Sequence, residues 1–168
     1  MATPIGHSIV GYMLARAAGV KSRRGMAMAM GAASLPDVDF LLGYVVNGDL
    51  FSLHHEVITH KPAFPLIVGA ATGLAAAGLA LLQGQAPTPR RVLRPAALAA
   101  ALVGTHLAMD PMPLPYESTP PQWARIREIV VVQVWNMVVD LTVYGSLARL
   151  LLGGNETSKQ AKEAGAGL

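Results

Sequence analysis

Residues 63–83 read AFPLIVGAATGLAAAGLALLQ, a continuous run that contains no charged side chain. The hydrocarbon core of a bilayer is about 30 Å thick and needs about 20 apolar residues in helical conformation to cross it. The run therefore predicts a membrane-spanning helix. The composition of the whole chain also suits a lipid environment. Hydrophobic residues make up 52% of the chain and charged residues only 14%, whereas a soluble domain carries about 25% charged residues.

Three other apolar segments, residues 25–46, 95–110 and 126–152, extend this pattern along the chain. The first contains Pro36, and we expect its helix to break at Leu35 because proline disfavours helix at the residue before it. Thr3 and Pro4 predict the start of a short N-terminal helix, with Thr3 as its N-cap.

The segments together predict an all-α fold: a multi-helix integral membrane bundle with about four membrane-crossing segments and a short N-terminal helix. Residues 1–152 would form a single domain. Residues 153–168 are polar and rich in Gly and Ala, and we expect them to be a disordered tail.

The basic residues indicate an orientation in the membrane. They concentrate in segments 20–24 and 84–94, in short loops rather than in one long patch, so we expect no nucleic-acid binding. The positive-inside rule makes these loops cytoplasmic in a bacterial-type inner or plasma membrane. Segments 47–62 and 111–124 then lie on the other side.

Histidines and aspartates are placed unusually for such an apolar chain. The five histidines each lie near a carboxylate or near another histidine, and four of the aspartates lie in apolar segments: His7, His54, His55, His60 and His106, with Asp37, Asp39, Asp110 and Asp140. A charged Asp in the middle of a membrane helix costs roughly 2.5–3.5 kcal/mol. A divalent metal would satisfy several carboxylates at once, and without cysteine its ligands must be nitrogen and oxygen.

Each group also has a simpler interpretation. His106 and Asp110 are four residues apart, so they share a helix face and either chelate one ion or form a hydrogen bond within the bundle. Asp37 fits helix capping with Ser34. The loop histidines fit solvent exposure, His7 fits a buried histidine, and Asn136 with Asp140 fit interhelical hydrogen bonding.

Four motifs in order resemble a known family. They are Thr-Pro-Ile-Gly-His at 3–7, Leu-Pro-Asp-Val-Asp at 35–39, His-His-Glu-Val-Ile-Thr-His at 54–60 and His-Leu-Ala-Met-Asp at 106–110. This order is similar to that of the bacterial LexA-regulated, predicted membrane-bound metal-dependent hydrolases. That family looks distantly similar to the helical group of zinc-dependent phospholipase C and P1-type nuclease, which hydrolyse phosphoesters.

The resemblance implies a set of metal ligands and catalytic groups. The implied ligands are His7, Asp37, Asp39, His55, His60, His106 and Asp110, with Asp37 or Asp39 as general base. Glu56 departs from the family pattern, which has Arg at this position. If that Arg binds an anion, Lys61, Arg125 or Arg127 would replace it, and we take Lys61 and Arg127 as the substrate-binding candidates.

Two functions from different classes follow. The first is a membrane-bound hydrolase that uses a divalent metal, Zn²⁺ above all, on phosphoester bonds of a lipid or lipid-linked substrate, with its site in the non-cytoplasmic half of the membrane. The alternative is a non-catalytic membrane protein, either a metal-stabilised scaffold or a transporter. A catalytic metal keeps an open coordination position, whereas a structural metal does not.

The topology can be tested by cysteine labelling, because the chain has no cysteine of its own. We predict that a cysteine at Gln85 reacts with a membrane-impermeant maleimide only from the cytoplasmic side, and one at Gln122 only from the other side. Labelling of both positions from one side would refute the four-crossing arrangement.

Overall fold

The computed structural model describes residues 3–49, 52–53, 57–111 and 126–165, without the side chains of 126–129 and 153–165. The helices are α1 (Pro4–Ala17), α2 (Arg23–Ala33), α3 (Val38–Asn47), α4 (Phe64–Leu82), α5 (Pro89–Met109) and α6 (Ile126–Gly165). Two 3₁₀ turns, Leu35–Asp37 and Ile58–His60, lie between them. This part of the chain contains no strand, and the predicted all-α fold is confirmed.

Three helices are long and apolar enough to cross a membrane: Phe64–Leu82, Pro89–Met109 and Val130–Leu152. A fourth crossing is possible if Arg23–Ala33 and Leu35–Asn47 form one span, which is bent by 57°. Large apolar side chains on their outer surfaces are exposed, as lipid-facing positions require, and include Leu74 and Leu82. The prediction of about four crossing segments is therefore confirmed.

The predicted break near Leu35 is present, and it gives α2 and α3 different directions. Pro36 lies in the 3₁₀ turn between the two helices. The hydroxyl of Ser34 donates a hydrogen bond to the carbonyl oxygen of Pro4 and lies 3.0 Å from the hydroxyl of Ser8. The break is therefore fixed against the beginning of α1.

Helices α1 and α2 form a hairpin in which the two backbones lie close together. A Cβ atom added at Gly11 would lie 2.7 Å from the Cβ atom of Ala33 and 2.9 Å from the carbonyl oxygen of Ala29. Helices in lipid associate through close packing of small residues rather than through the hydrophobic effect. The same holds for α4 and α5, where a Cβ at Gly69 would lie 3.0 Å from that of Ala100.

Helix α5 begins earlier than we expected. The segment 84–94 was predicted to be a loop, but α5 starts at Pro89 and includes Arg90, Arg91 and Arg94. Proline is favourable in a first helical turn, because its missing N–H would be unsatisfied there in any case. The Arg94 guanidinium donates a hydrogen bond to the carbonyl oxygen of Ala18, after the last residue of α1.

The Arg94 contact places the α1–α2 turn and the start of α5 at one end of the bundle. The two basic segments are therefore close together, as the predicted topology requires. The side of the membrane that this end faces stays a prediction.

Helix α6 also differs from the expectation at its C-terminal end. It continues to Gly165, whereas we expected residues 153–168 to be a disordered tail. Residues 156–164 are rich in Glu, Lys, Gln and Ala, which are good helix formers even without packing. The domain boundary at residue 152 stays a prediction.

The close approach of α1 and α2 predicts opposite effects for two glycine substitutions. Gly11→Ala should lower the free energy of unfolding by about 1–3 kcal/mol, because the methyl group overpacks the hairpin. Gly31→Ala is the control, since a Cβ there has nothing within 4 Å, and it should be neutral or stabilising by up to about 1 kcal/mol. Unfolding in mixed detergent micelles measures both values. Equal effects would show that the hairpin tolerates the methyl group.

Candidate metal centre

Five of the predicted site residues converge at the end of the bundle opposite the basic segments. They come from four elements: α1, the two 3₁₀ turns and the C-terminal end of α5. The residues are His7, Asp37, His60, His106 and Asp110.

His106 is the centre of this cluster and is fully buried. Its Nδ1 lies 2.8 Å from the carbonyl oxygen of Ala33. Since a carbonyl can only accept, Nδ1 carries a proton, and in the neutral imidazole Nε2 presents a lone pair to the cluster. This Nε2 lies 3.3 Å from Asp110 Oδ2 and 3.5 Å from Asp37 Oδ1. The one-turn spacing of His106 and Asp110 therefore brings both groups to one point.

His60 is oriented in the same manner by a different acceptor. Its Nδ1 lies 2.7 Å from Asp39 Oδ2, and its Nε2 lies 3.2 Å from Asp110 Oδ2. Histidines that bind metals commonly donate their second ring N–H to a carboxylate or a carbonyl, which fixes the tautomer. Asp39 is this acceptor for His60, and the Ala33 carbonyl is the acceptor for His106.

His7 reaches the cluster from α1. Its ring stacks on that of His106, with 3.6 Å between centroids, and its Nε2 lies 3.3 Å from Asp110 Oδ1. Neither ring nitrogen forms a hydrogen bond with any described residue, although His7 is buried. The two oxygens of Asp110 thus face different histidines, Oδ1 toward His7 and Oδ2 toward His60.

Asp37 is directed into the cluster instead of capping a helix. It is the N-cap residue of α3, but its side chain makes no capping hydrogen bond. Its Oδ2 is buried and lacks a hydrogen-bond partner among the described residues. Helix capping, the simpler interpretation of Asp37, is therefore not what this carboxylate does.

Two sets of three ligand atoms are close enough to hold an ion: His7 with Asp37 and His106, and His60 with His106 and Asp110. Within each set the ligand atoms lie within 4.8 Å of one another. Asp39 is in neither set, because its carboxylate contacts Nδ1 of His60, whereas Nε2 of that ring faces the cluster. His55 is outside the described residues.

The pKa shifts of His7 and Asp110 favour metal binding, whereas burial of His60 is outweighed by Asp110 and Asp39, which raise the pKa of His60. Burial disfavours the charged form of His7 and lowers its pKa, even though Asp110 acts in the opposite direction. Burial alone would raise the pKa of Asp110, but its close contacts with His106, His60 and His7 hold the pKa well below its usual range. A neutral imidazole and an ionised carboxylate are the forms that bind metals.

A cleft of about 290 Å³ lies beside the cluster and is lined by His60, Leu107, Asp110 and Pro111. Lys61, one of the two predicted substrate-binding residues, directly follows His60 and is exposed. Arg127 lies in the first turn of α6, and its side chain is outside the described part.

One buried pair was missed by reasoning from the sequence. Asp140 Oδ2 accepts hydrogen bonds from the backbone N–H and the hydroxyl of Thr3, at 2.7 and 2.5 Å. Interhelical hydrogen bonding was the simpler interpretation of Asp140, and the structure supports it. The partner could not be identified, because the pattern gives spacing within a helix and not between α1 and α6.

Comparison with known protein families gives a match over most of the chain. The model of a family described as YdjM inner membrane protein matches residues 1–159. No curated protein and no solved structure matches the chain. The match supports location in the inner membrane, but LexA regulation and similarity to zinc-dependent phospholipase C stay predictions.

The geometry predicts that His106 and Asp110 act on one metal ion as a unit. His106→Ala and Asp110→Ala should each remove nearly all bound metal, and the double variant should add little, as for groups that share one partner. Elemental analysis of the purified protein measures the metal. Val103→Ala, a buried neighbour on α5, should lower thermal stability and retain the metal. If all three site variants retained full metal occupancy, His106 and Asp110 would form only a hydrogen bond within the bundle. Each substitution would then lower the free energy of unfolding by about 1 kcal/mol.

Proposed function

This chain belongs to the YdjM inner membrane protein family, and we propose that it is a metal-dependent hydrolase. Its substrate is a phosphoester bond of a membrane lipid or a lipid-linked molecule. The cofactor is a divalent ion, Zn²⁺ above all, held by His7, Asp37, His60, His106 and Asp110.

One observation carries the proposal: imidazole nitrogens and carboxylate oxygens converge in an apolar interior. His106 Nε2 lies 3.4 Å from His60 Nε2 and 3.3 Å from Asp110 Oδ2. The Nδ1 protons of both histidines are directed elsewhere, to Asp39 and to the Ala33 carbonyl. Lone pairs at such distances repel one another unless a cation or a shared proton lies between them.

The donor set fits zinc. Imidazole nitrogens and carboxylate oxygens without thiolate suit Zn²⁺, and catalytic zinc sites commonly use three such ligands. The two oxygens of Asp110 face His7 and His60, so this carboxylate would help to hold the ion beside either histidine. Bound there, a divalent ion would supply Lewis-acid activation of water and of a phosphoester oxygen.

Other roles in the proposed reaction belong to the protein's own side chains. Asp37 has an oxygen without a hydrogen-bond partner among the described residues, which favours it over Asp39 as the group that accepts a proton from water. Asp39 would orient His60 through its Nδ1–H. Lys61 and Arg127 would bind the charged part of the substrate, as the departure at Glu56 led us to expect.

A lipid or lipid-linked substrate suits the surroundings of this cluster. The cleft beside His60 and Asp110 is completed by the apolar residues Leu107 and Pro111. Helix α4 begins shortly after His60 and α5 ends at Met109, next to Asp110, and both have the length and composition of membrane-crossing helices. A substrate carried in the membrane reaches such a cleft without leaving the lipid phase.

A metal-stabilised scaffold is the second candidate, and the burial of the donors favours it. The side chains of His7, His106, His60, Asp110 and Asp37 are 0–10% exposed. Ions in structural sites are fully enclosed by protein ligands, whereas a catalytic ion needs room for a water molecule and the substrate. The two candidates therefore differ in activity and not in metal content.

The test combines metal content with phosphate release. The detergent-purified protein, reloaded with Zn²⁺, should contain at least one ion per chain and release phosphate from lipid phosphates or lipid pyrophosphates in mixed micelles. His60→Ala should lose both properties, and Asp49→Asn, an exposed aspartate outside the cluster, should lose neither. Stoichiometric metal without hydrolysis of any such substrate would support the scaffold. No metal after reloading would refute both candidates.

A further inference from the structure

We propose that Asp140 is a positioning residue that sets the place of His7 in the metal centre by holding the N-terminal end of α1. The inference rests on the proposed metal site and concerns a residue outside it. Asp140 lies in α6 and is fully buried. Such a carboxylate must be stabilised by strong hydrogen bonds, because burial of an unpaired charge is very costly.

Thr3 provides these bonds at the start of α1. Both its backbone N–H and its hydroxyl donate to Asp140 Oδ2. Thr3 is the N-cap residue of α1, as the sequence predicted, but its side chain makes no capping bond to its own helix. The Asp140 carboxylate instead lies at the positive end of the α1 dipole, where an anion stabilises a helix.

Gly6 shows how closely the carboxylate packs on this helix. A Cβ atom at Gly6 would lie 2.7 Å from both Cγ and Oδ2 of Asp140. Any side chain there would collide with the carboxylate or displace α1 from α6. The first turn of α1 is therefore held at Thr3 and at Gly6, and His7 is the next residue.

The comparison with the other two histidines shows why His7 needs this anchor. The Nδ1 atoms of His60 and His106 each have an acceptor, Asp39 and the Ala33 carbonyl, which sets the rotation of the ring. In the described part of the chain His7 Nδ1 has no such acceptor. The position of its ring depends on the stack with His106 and on the backbone of α1, which Asp140 fixes.

Two variants test the inference with little change in shape: Asp140→Asn, which removes the charge, and Thr3→Val, which removes the hydroxyl donor. Each should weaken zinc affinity by about ten- to hundredfold, the usual effect of losing a residue that orients a ligand. Thr3→Ser keeps a hydroxyl and should retain affinity near that of the wild type. Affinity is measured by chelator competition below the melting temperature of each variant, and the absorption spectrum of the Co²⁺-loaded protein reports the ligand geometry.

Val139→Ala is the matched control, because Val139 is the buried neighbour of Asp140 on α6. It should lower the melting temperature and leave zinc affinity and the Co²⁺ spectrum unchanged. If Asp140→Asn and Thr3→Val behave like this control, Asp140 has only a structural role and the inference is wrong. A wild-type protein that binds zinc without hydrolysing lipid phosphoesters would refute the proposed reaction and leave the inference intact. A wild type that binds no zinc would refute both.

Discussion

Burial of histidines and carboxylates in an apolar interior costs free energy, and the rest of the structure must compensate for this cost. Asp110 is the group that makes this possible, since its two oxygens lie within 3.3 Å of nitrogens from His7, His60 and His106. Each of these histidines comes from a different element, so the carboxylate joins α1, the Ile58–His60 turn and α5 at one point. In lipid there is no water to satisfy such groups, and the bundle must bring their partners together.

Small residues allow the helices to approach closely enough for this arrangement. Gly11 permits contact between α1 and α2, and Gly69 does the same between α4 and α5. Contact between α1 and α2 places Ala33 where its carbonyl accepts the His106 proton. The orientation of the His106 ring thus depends on the absence of a side chain at Gly11, which contacts Ala33.

The sequence predicted the parts of this structure that depend on local pattern. Hydropathy identified the crossing helices, and Pro36 identified the break between α2 and α3. The spacing of His106 and Asp110 predicted that they meet. Contacts between distant segments have no such pattern, so the roles of Asp39 and of the Ala33 carbonyl could not be foreseen. The early start of α5 at Pro89 was missed because Pro and Arg residues resemble those of a loop.

The bond between Thr3 and Asp140 also has a consequence for biogenesis. These residues are 137 positions apart in the chain, so α1 leaves the ribosome long before its partner on α6 has been made. Until α6 enters the membrane, α1 can pack on α2 and bond to Ser34, but it lacks the hydrogen bonds between Thr3 and Asp140. His7 is then the first residue of the cluster to be synthesised, and its helix gains the Asp140 contact only when α6 is inserted. Completion of the proposed metal centre would therefore follow the insertion of the final helix.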